Sequence, residues 1–157
     1  MKVVFLDIDG VLNREASKNN NDVSVDKKHV VLLKELAEKT GAAIVLSAGW
    51  KLWFDDDMKP VTREVSYLFD ILNEHGVALY GKTPDLCTDE IKKNRAFSDI
   101  KAKEIKTWLG ARDDIESYIV LDDLDLKDEQ VNSRLVRVDG RAGLRYEDVC
   151  LAIGMLE

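Results

Sequence analysis

Val3-Val4-Phe5-Leu6-Asp7-Ile8-Asp9-Gly10 decides the fold. Four apolar residues, mostly β-branched or aromatic, run without alternation into a pair of carboxylates and a glycine. A strand that is apolar on both faces belongs in a parallel sheet covered by helices on each side. Two further stretches repeat the pattern. Ala42-Ala43-Ile44-Val45-Leu46 runs into Ser47, and Tyr118-Ile119-Val120-Leu121 runs into Asp122-Asp123. Weaker strand signals lie at Val77-Ala78-Leu79-Tyr80 and Leu135-Val136-Arg137-Val138.

Helical periods separate these runs. Asp26 is a candidate N-cap, followed by Val30, Leu33, Leu36 and Ala37 on one face and a stop at Gly41. The spacing predicts further helices over 62–74, 99–109 and 146–156. Strands alternating with helices give an α/β fold, a three-layer α/β/α sandwich with a mainly parallel, Rossmann-like sheet. Residues 14–25 read as a polar loop. Residues 1–157 are expected to form a single domain, which the length suits.

Composition narrows the function. The chain is 45% hydrophobic and 34% charged, ordinary for a globular protein. No apolar run reaches the roughly 20 residues that span a bilayer, and the amino-terminal segment reads as a strand rather than a signal peptide. Cys87 and Cys150 form neither a disulfide framework nor a zinc spacing and are expected to be buried or inert. The expected location is the cytoplasm, with no membrane association and no obligate protein partner. A net charge of −7 argues against broad nucleic-acid binding, although Lys92, Lys93 and Arg95 offer a local cationic patch.

The polar residues closing the three strong runs meet where ligands bind in open α/β sheets, outside the carboxyl ends of the strands. Asp7 and Asp9 repel when both are ionised, and a divalent cation removes that cost. Magnesium suits such oxygen ligands, with substrate phosphate and waters completing its shell. Asp122 and Asp123 supply a second pair, of which one is expected to meet the metal and the other to bind backbone or supporting groups. The Ser47 hydroxyl and neighbouring backbone N–H groups can donate to a phosphate. Lys101 can offset charge during attack, with Lys103 a competing choice. Trp50, Trp53 and Phe54 form an aromatic cluster suited either to packing or to stacking on a substrate ring. His29 and His75 are expected at the surface, and Asp55-Asp56-Asp57 in a solvated turn.

In order, Asp7-Ile8-Asp9-Gly10-Val11-Leu12-Asn13, Leu46-Ser47, Lys101 and Leu121-Asp122-Asp123 resemble the four motifs of the haloacid dehalogenase (HAD) superfamily. Finer features resemble a subgroup found in some nucleic-acid repair proteins. These are Ser47-Ala48-Gly49-Trp50-Lys51, Thr83-Pro84, Lys101 to Ile105 with Trp108-Leu109, and Asp139 with Gly143-Leu144. Two departures stand out: that subgroup's pattern would have Ser-Ser-Trp-Arg at the second motif and Arg at Lys101. The resemblance implies a magnesium-dependent phosphatase. Asp7 would be the nucleophile forming an aspartyl-phosphate, with Asp9 as acid and then base. Ser47 and Lys101 would complete the catalytic set, and Gly10, Ser47, Ala48, Trp50 and Lys51 would bind substrate. Asp7 through its carboxylate, Asp9 through its backbone carbonyl, and a carboxylate on the Asp123 side of the Asp122-Asp123 pair would serve the metal. The expected substrate is a nucleotide, a phosphorylated nucleic-acid end or a small phosphometabolite. Alternatives are phosphoryl transfer to an acceptor other than water and a non-catalytic metal- or phosphate-binding regulatory domain. Ser47 lies forty positions after Asp7, and Lys101 fifty-four after Ser47, which leaves no room for a full cap domain. The loops at 14–25, 51–60 and 82–98 are then the specificity elements.

Overall fold

A computed structural model describes residues 1–14, 25–94 and 97–157. Five parallel strands form one sheet in the order β3-β2-β1-β4-β5. These are β1 (Lys2–Leu6), β2 (Ala43–Leu46), β3 (Leu79–Lys82), β4 (Ser117–Asp122) and β5 (Leu135–Arg137). The helices are α1 (Lys27–Thr40), α2 (Arg63–Glu74), α3 (Asp89–Asn94), α4 (Phe97–Gly110), α5 (Glu129–Asn132) and α6 (Tyr146–Leu156). A short 3-10 turn covers Gly49–Trp53.

Alternation along the strands splits the core between the two faces of the sheet. Val4, Leu6, Ile44, Leu46, Ile119 and Leu121 pack with buried residues of α1, α2 and α6. Val3, Phe5, Val45 and Val120 point the other way, against Ala102, Ile105 and Trp108 of α4 and Val131 of α5. Phe5 meets Trp108 edge-on, with ring centroids 5.4 Å apart. Both faces of the central strands are therefore sealed, which is why their sequences carry no polar alternation. The three-layer α/β/α arrangement follows directly.

Predicted boundaries hold where caps mark them. Asp26 accepts from Lys28 N–H at 3.2 Å, and Gly41 closes α1 at φ +68°. The third strand is shifted from 77–80 to Leu79–Lys82; among the described residues its outer edge has no partner strand, and its sequence has no buried face. His29 is buried rather than exposed, with Nδ1–H donating to the Leu144 carbonyl at 2.7 Å. Its ring lies where a Cβ on Gly143 would stand, 2.5 Å from that position. Burial lowers the His29 pKa from its ordinary value. Cys87 is partly buried and Cys150 is exposed on α6, so burial, one of the two expected alternatives, does not describe Cys150.

Among the described residues, only α1 lies between β1 and β2, so no cap domain is inserted there. Most of the 14–25 loop lies outside the described residues, as does Arg95 of the cationic patch. Within the 51–60 segment the 3-10 turn ends at Trp53, and residues 54–60 form a tight hairpin closed by a bridge between Phe54 and Pro60. Asp55 holds it by accepting from the N–H groups of Asp57 and Lys59, so the acidic run is a solvated turn. No helix among the described residues is long and apolar enough to cross a membrane.

Candidate active site

Strand order reverses between β1 and β4, and the crevice beyond their carboxyl ends is where an open α/β sheet binds its ligand. Asp7 follows β1 and extends the ladder by one step, its N–H donating to the Leu121 carbonyl at 3.0 Å. Ser47 follows β2 in the same way, donating from its backbone to Leu6 at 2.9 Å. Asp122 ends β4. Parallel register thus brings three residues that are distant in sequence to one edge.

The chain then turns sharply. Gly10 has φ +84°, a backbone region that side chains disfavour. A Cβ at Gly10 would also collide with the Asp123 carboxylate, lying only 2.7 Å from its Cγ. Glycine is therefore required twice over. Asn13 locks the turn by accepting from Gly10 N–H at 2.9 Å. Leu144 supports it from outside, donating to the Val11 carbonyl at 2.8 Å.

Asp7, Asp122 and Asp123 bring one carboxylate oxygen each within 4.8 Å of one another. Lys101, on α4, lies 3.3 Å from Asp7 Oδ1 and 2.7 Å from Asp122 Oδ2. Burial alone would depress the lysine, but the charges of Asp7 and Asp122 outweigh it and hold its pKa above the usual value. Burial also raises Asp7, to about 7; Lys101 opposes that shift while Asp122 and Asp123 add to it. Asp123 is raised by burial and then by Asp122. One ammonium against three carboxylates leaves excess negative charge in an oxygen-only donor set, which fits a hard divalent cation. Asp122 is fully buried, with one oxygen on Lys101 and the other on Leu124 N–H at 3.0 Å. Asp123, facing Gly10, is the freer of the pair.

Asp9, expected to meet the metal through its backbone carbonyl, has its carboxylate outside this group. Trp50 Nε1–H donates to one of its oxygens at 3.1 Å and Asn13 donates to the other at 3.2 Å. Trp50 is consequently buried and bound to a site residue rather than open to a substrate ring. Lys51 is buried as well. Its ammonium pairs with Glu104 at 2.7 Å and donates to Thr83 Oγ1 at 3.2 Å and the Pro84 carbonyl at 3.1 Å. With its three donors engaged, it braces the pocket instead of waiting for a ligand. The Ala48 side chain is buried in the core.

Ser47 differs. Its hydroxyl is buried and has no hydrogen-bond partner, the state in which a phosphate oxygen would be a welcome acceptor. Ser47 and Lys101 both line one cavity of about 270 Å³. Lys103 lines a different cavity, with Lys106 and Asp128, so Lys101 is the lysine that reaches the acidic group.

The sequence did not single out Glu104 as a functional residue. Its signal was present: an acidic residue one helical turn after Lys101, on the face that must approach the sheet. It also accepts from Leu86 N–H at 3.0 Å, tying α4 to the 83–86 loop.

Neither the curated proteins nor the solved structures gave a match to this chain. A family model does match, over residues 3–149, and its description is the HAD domain in Swiss Army Knife RNA repair proteins. With the match covering nearly all of the sheet, its helices and the acidic crevice, the chain belongs to this family of HAD domains.

Proposed function

We propose that residues 1–157 act as one domain, a magnesium-dependent phosphohydrolase that releases phosphate from a phosphomonoester through an aspartyl-phosphate on Asp7. The observation that carries the reading is the grouping of the Asp7 carboxylate with those of Asp122 and Asp123, bridged to Asp122 by the Lys101 ammonium, at the same sheet edge where Ser47 holds a buried, unpartnered hydroxyl. Lone carboxylates make poor nucleophiles toward anionic phosphate unless the repulsion is screened. Lys101 supplies one fixed positive charge at 3.3 Å. Asp7 and Asp123, with Asp122 supporting, would hold magnesium, which when bound neutralises charge and orients the phosphoryl group.

Ser47 would donate its hydroxyl, itself already withdrawn from water, to a phosphoryl oxygen, a preorganised contact. Asp9 would protonate the leaving oxygen and then, as a base, take a proton from the attacking water. Its two oxygens are already oriented by Trp50 and Asn13, so the carboxyl has little freedom to lose on reaching the transition state. The family is named for RNA repair proteins, which favours a phosphorylated nucleic-acid end or nucleotide over other phosphometabolites.

Phosphate release from an aryl phosphate tests the reading. Release should require magnesium, vanish with a chelator and fall at least about a thousandfold in Asp7→Asn. Equal inactivity of wild type and Asp7→Asn across aryl, nucleotide and oligonucleotide substrates, with magnesium still bound, would favour the non-catalytic binding domain.

A further inference from the structure

The cavity that opens from Ser47 and Lys101 has walls unlike its floor. Leu52, Phe97 and Leu124 stand around it, 57%, 47% and 41% exposed, with Ile100 behind them. They come from three separate elements: the 3-10 turn after β2, the first turn of α4 and the loop after β4. Large apolar side chains left open at the mouth of a polar site are a ligand-binding signal more than a folding one.

We propose that this apolar wall is the specificity-determining subsite, and that it receives the planar ring of a nucleobase on the group bearing the phosphate. The proposal rests on the phosphohydrolase reading and narrows its substrate class. Three features choose a base over the other phosphomonoesters. A sugar phosphate or polyol phosphate presents hydroxyls on every face and needs polar walls, which Leu52, Phe97 and Leu124 do not supply. A cavity of about 270 Å³ lies just below the common range for small-molecule sites, enough for one nucleoside-sized group but not a buried oligomer. Asp85 and Lys92, both exposed, also line the cavity and are able to accept from and donate to the polar edge of a base. The ring would lie against Phe97 with its faces apolar and its edge polar, the chemistry of stacking on unpaired nucleotides. A free mononucleotide and the terminal nucleotide of a single strand share that chemistry. The net charge of −7 leaves little general attraction for a long anionic strand.

The test compares kcat/KM, with magnesium, for four substrates: a nucleoside 5′-monophosphate, a single-stranded oligonucleotide with a 5′-phosphate, ribose 5-phosphate, and acetyl phosphate, which has no ring. Wild type should prefer the base-bearing substrates over ribose 5-phosphate by about ten- to hundredfold. In Phe97→Ala that preference ratio should fall by a similar factor, and Leu124→Ala should lower it in the same direction. Both side chains are half-exposed, so the fold should survive. Preference for the oligonucleotide or the mononucleotide names the source of the base. Ribose 5-phosphate turned over as well as the nucleotide, or a ratio unmoved by both variants, would overturn the proposal while leaving the hydrolase intact. No Asp7-dependent turnover of any substrate, acetyl phosphate included, would overturn the hydrolase reading and the subsite with it.

Discussion

Lys51 and Glu104 form a buried ion pair, 2.7 Å apart, that joins the loop after β2 to α4. The same lysine reaches Thr83 and Pro84, and the same glutamate reaches Leu86. Three segments that carry site residues are thereby held in one register, with Lys101 one turn before Glu104 on the same helix.

Removing one partner strands a charge in the interior. Lys51→Met and Glu104→Gln are each expected to lower stability by about 3–5 kcal/mol and about 2–4 kcal/mol, respectively, in chemical denaturation. The double variant should cost clearly less than the two effects combined, since the uncompensated charge is then gone. Strict additivity would show that the pair is not coupled.

The hydrogen bond from Trp50 to Asp9 leads to a kinetic expectation. Trp50→Phe keeps most of the packing and deletes the donor to Asp9. Turnover of substrates with poor leaving groups should fall about tenfold, because they depend on a well-aimed acid. An activated aryl phosphate, which leaves without that proton, should be affected less. Equal losses on both would assign Trp50 a purely structural part.

Asp7 gives the pH dependence. Its pKa in the fold is raised from 3.8 to about 7, chiefly by burial. Between those values the folded protein holds a proton that the unfolded chain has released, so this group's contribution is present below pH 3.8 and lost as pH rises through 7. Metal-free Asp7→Asn should therefore gain stability over metal-free wild type between pH 5 and pH 8, by on the order of 2–4 kcal/mol at the upper end. Magnesium should restore wild type and leave the variant unmoved. Denaturation curves at several pH values, with and without magnesium, provide the check.

Much of the fold was legible because both faces of the central strands are buried, and the apolar runs at Val3–Leu6, Ala42–Leu46 and Tyr118–Leu121 say so directly. Helix α1 announced itself by its caps. The edge strand β3, Leu-Tyr-Gly-Lys with no fully buried residue, carried no such signal and was misplaced by two residues. The short helices α3 and α5 were invisible for a related reason: neither is long enough to show a period. At the site, strand-end position located Asp7, Ser47 and Asp122 together. Pairings across the sheet were hidden. Motif position marked Asp9 but could not disclose the partner that orients its side chain, Trp50, 41 positions away. The burial of His29 depends on Gly143, more than a hundred residues distant, which no local pattern discloses.

Covalent capture at Asp7 tests the central claim most directly. In Asp9→Asn, attack on an activated aryl phosphate should still proceed while hydrolysis of the intermediate is slowed. Acid quenching followed by peptide mass analysis should then find one phosphoryl group on Asp7, dependent on magnesium and absent when Asp7 is also Asn. Phosphate release by the Asp7→Asn single variant at the wild-type rate, or a phosphoryl group found on another residue, would contradict the account.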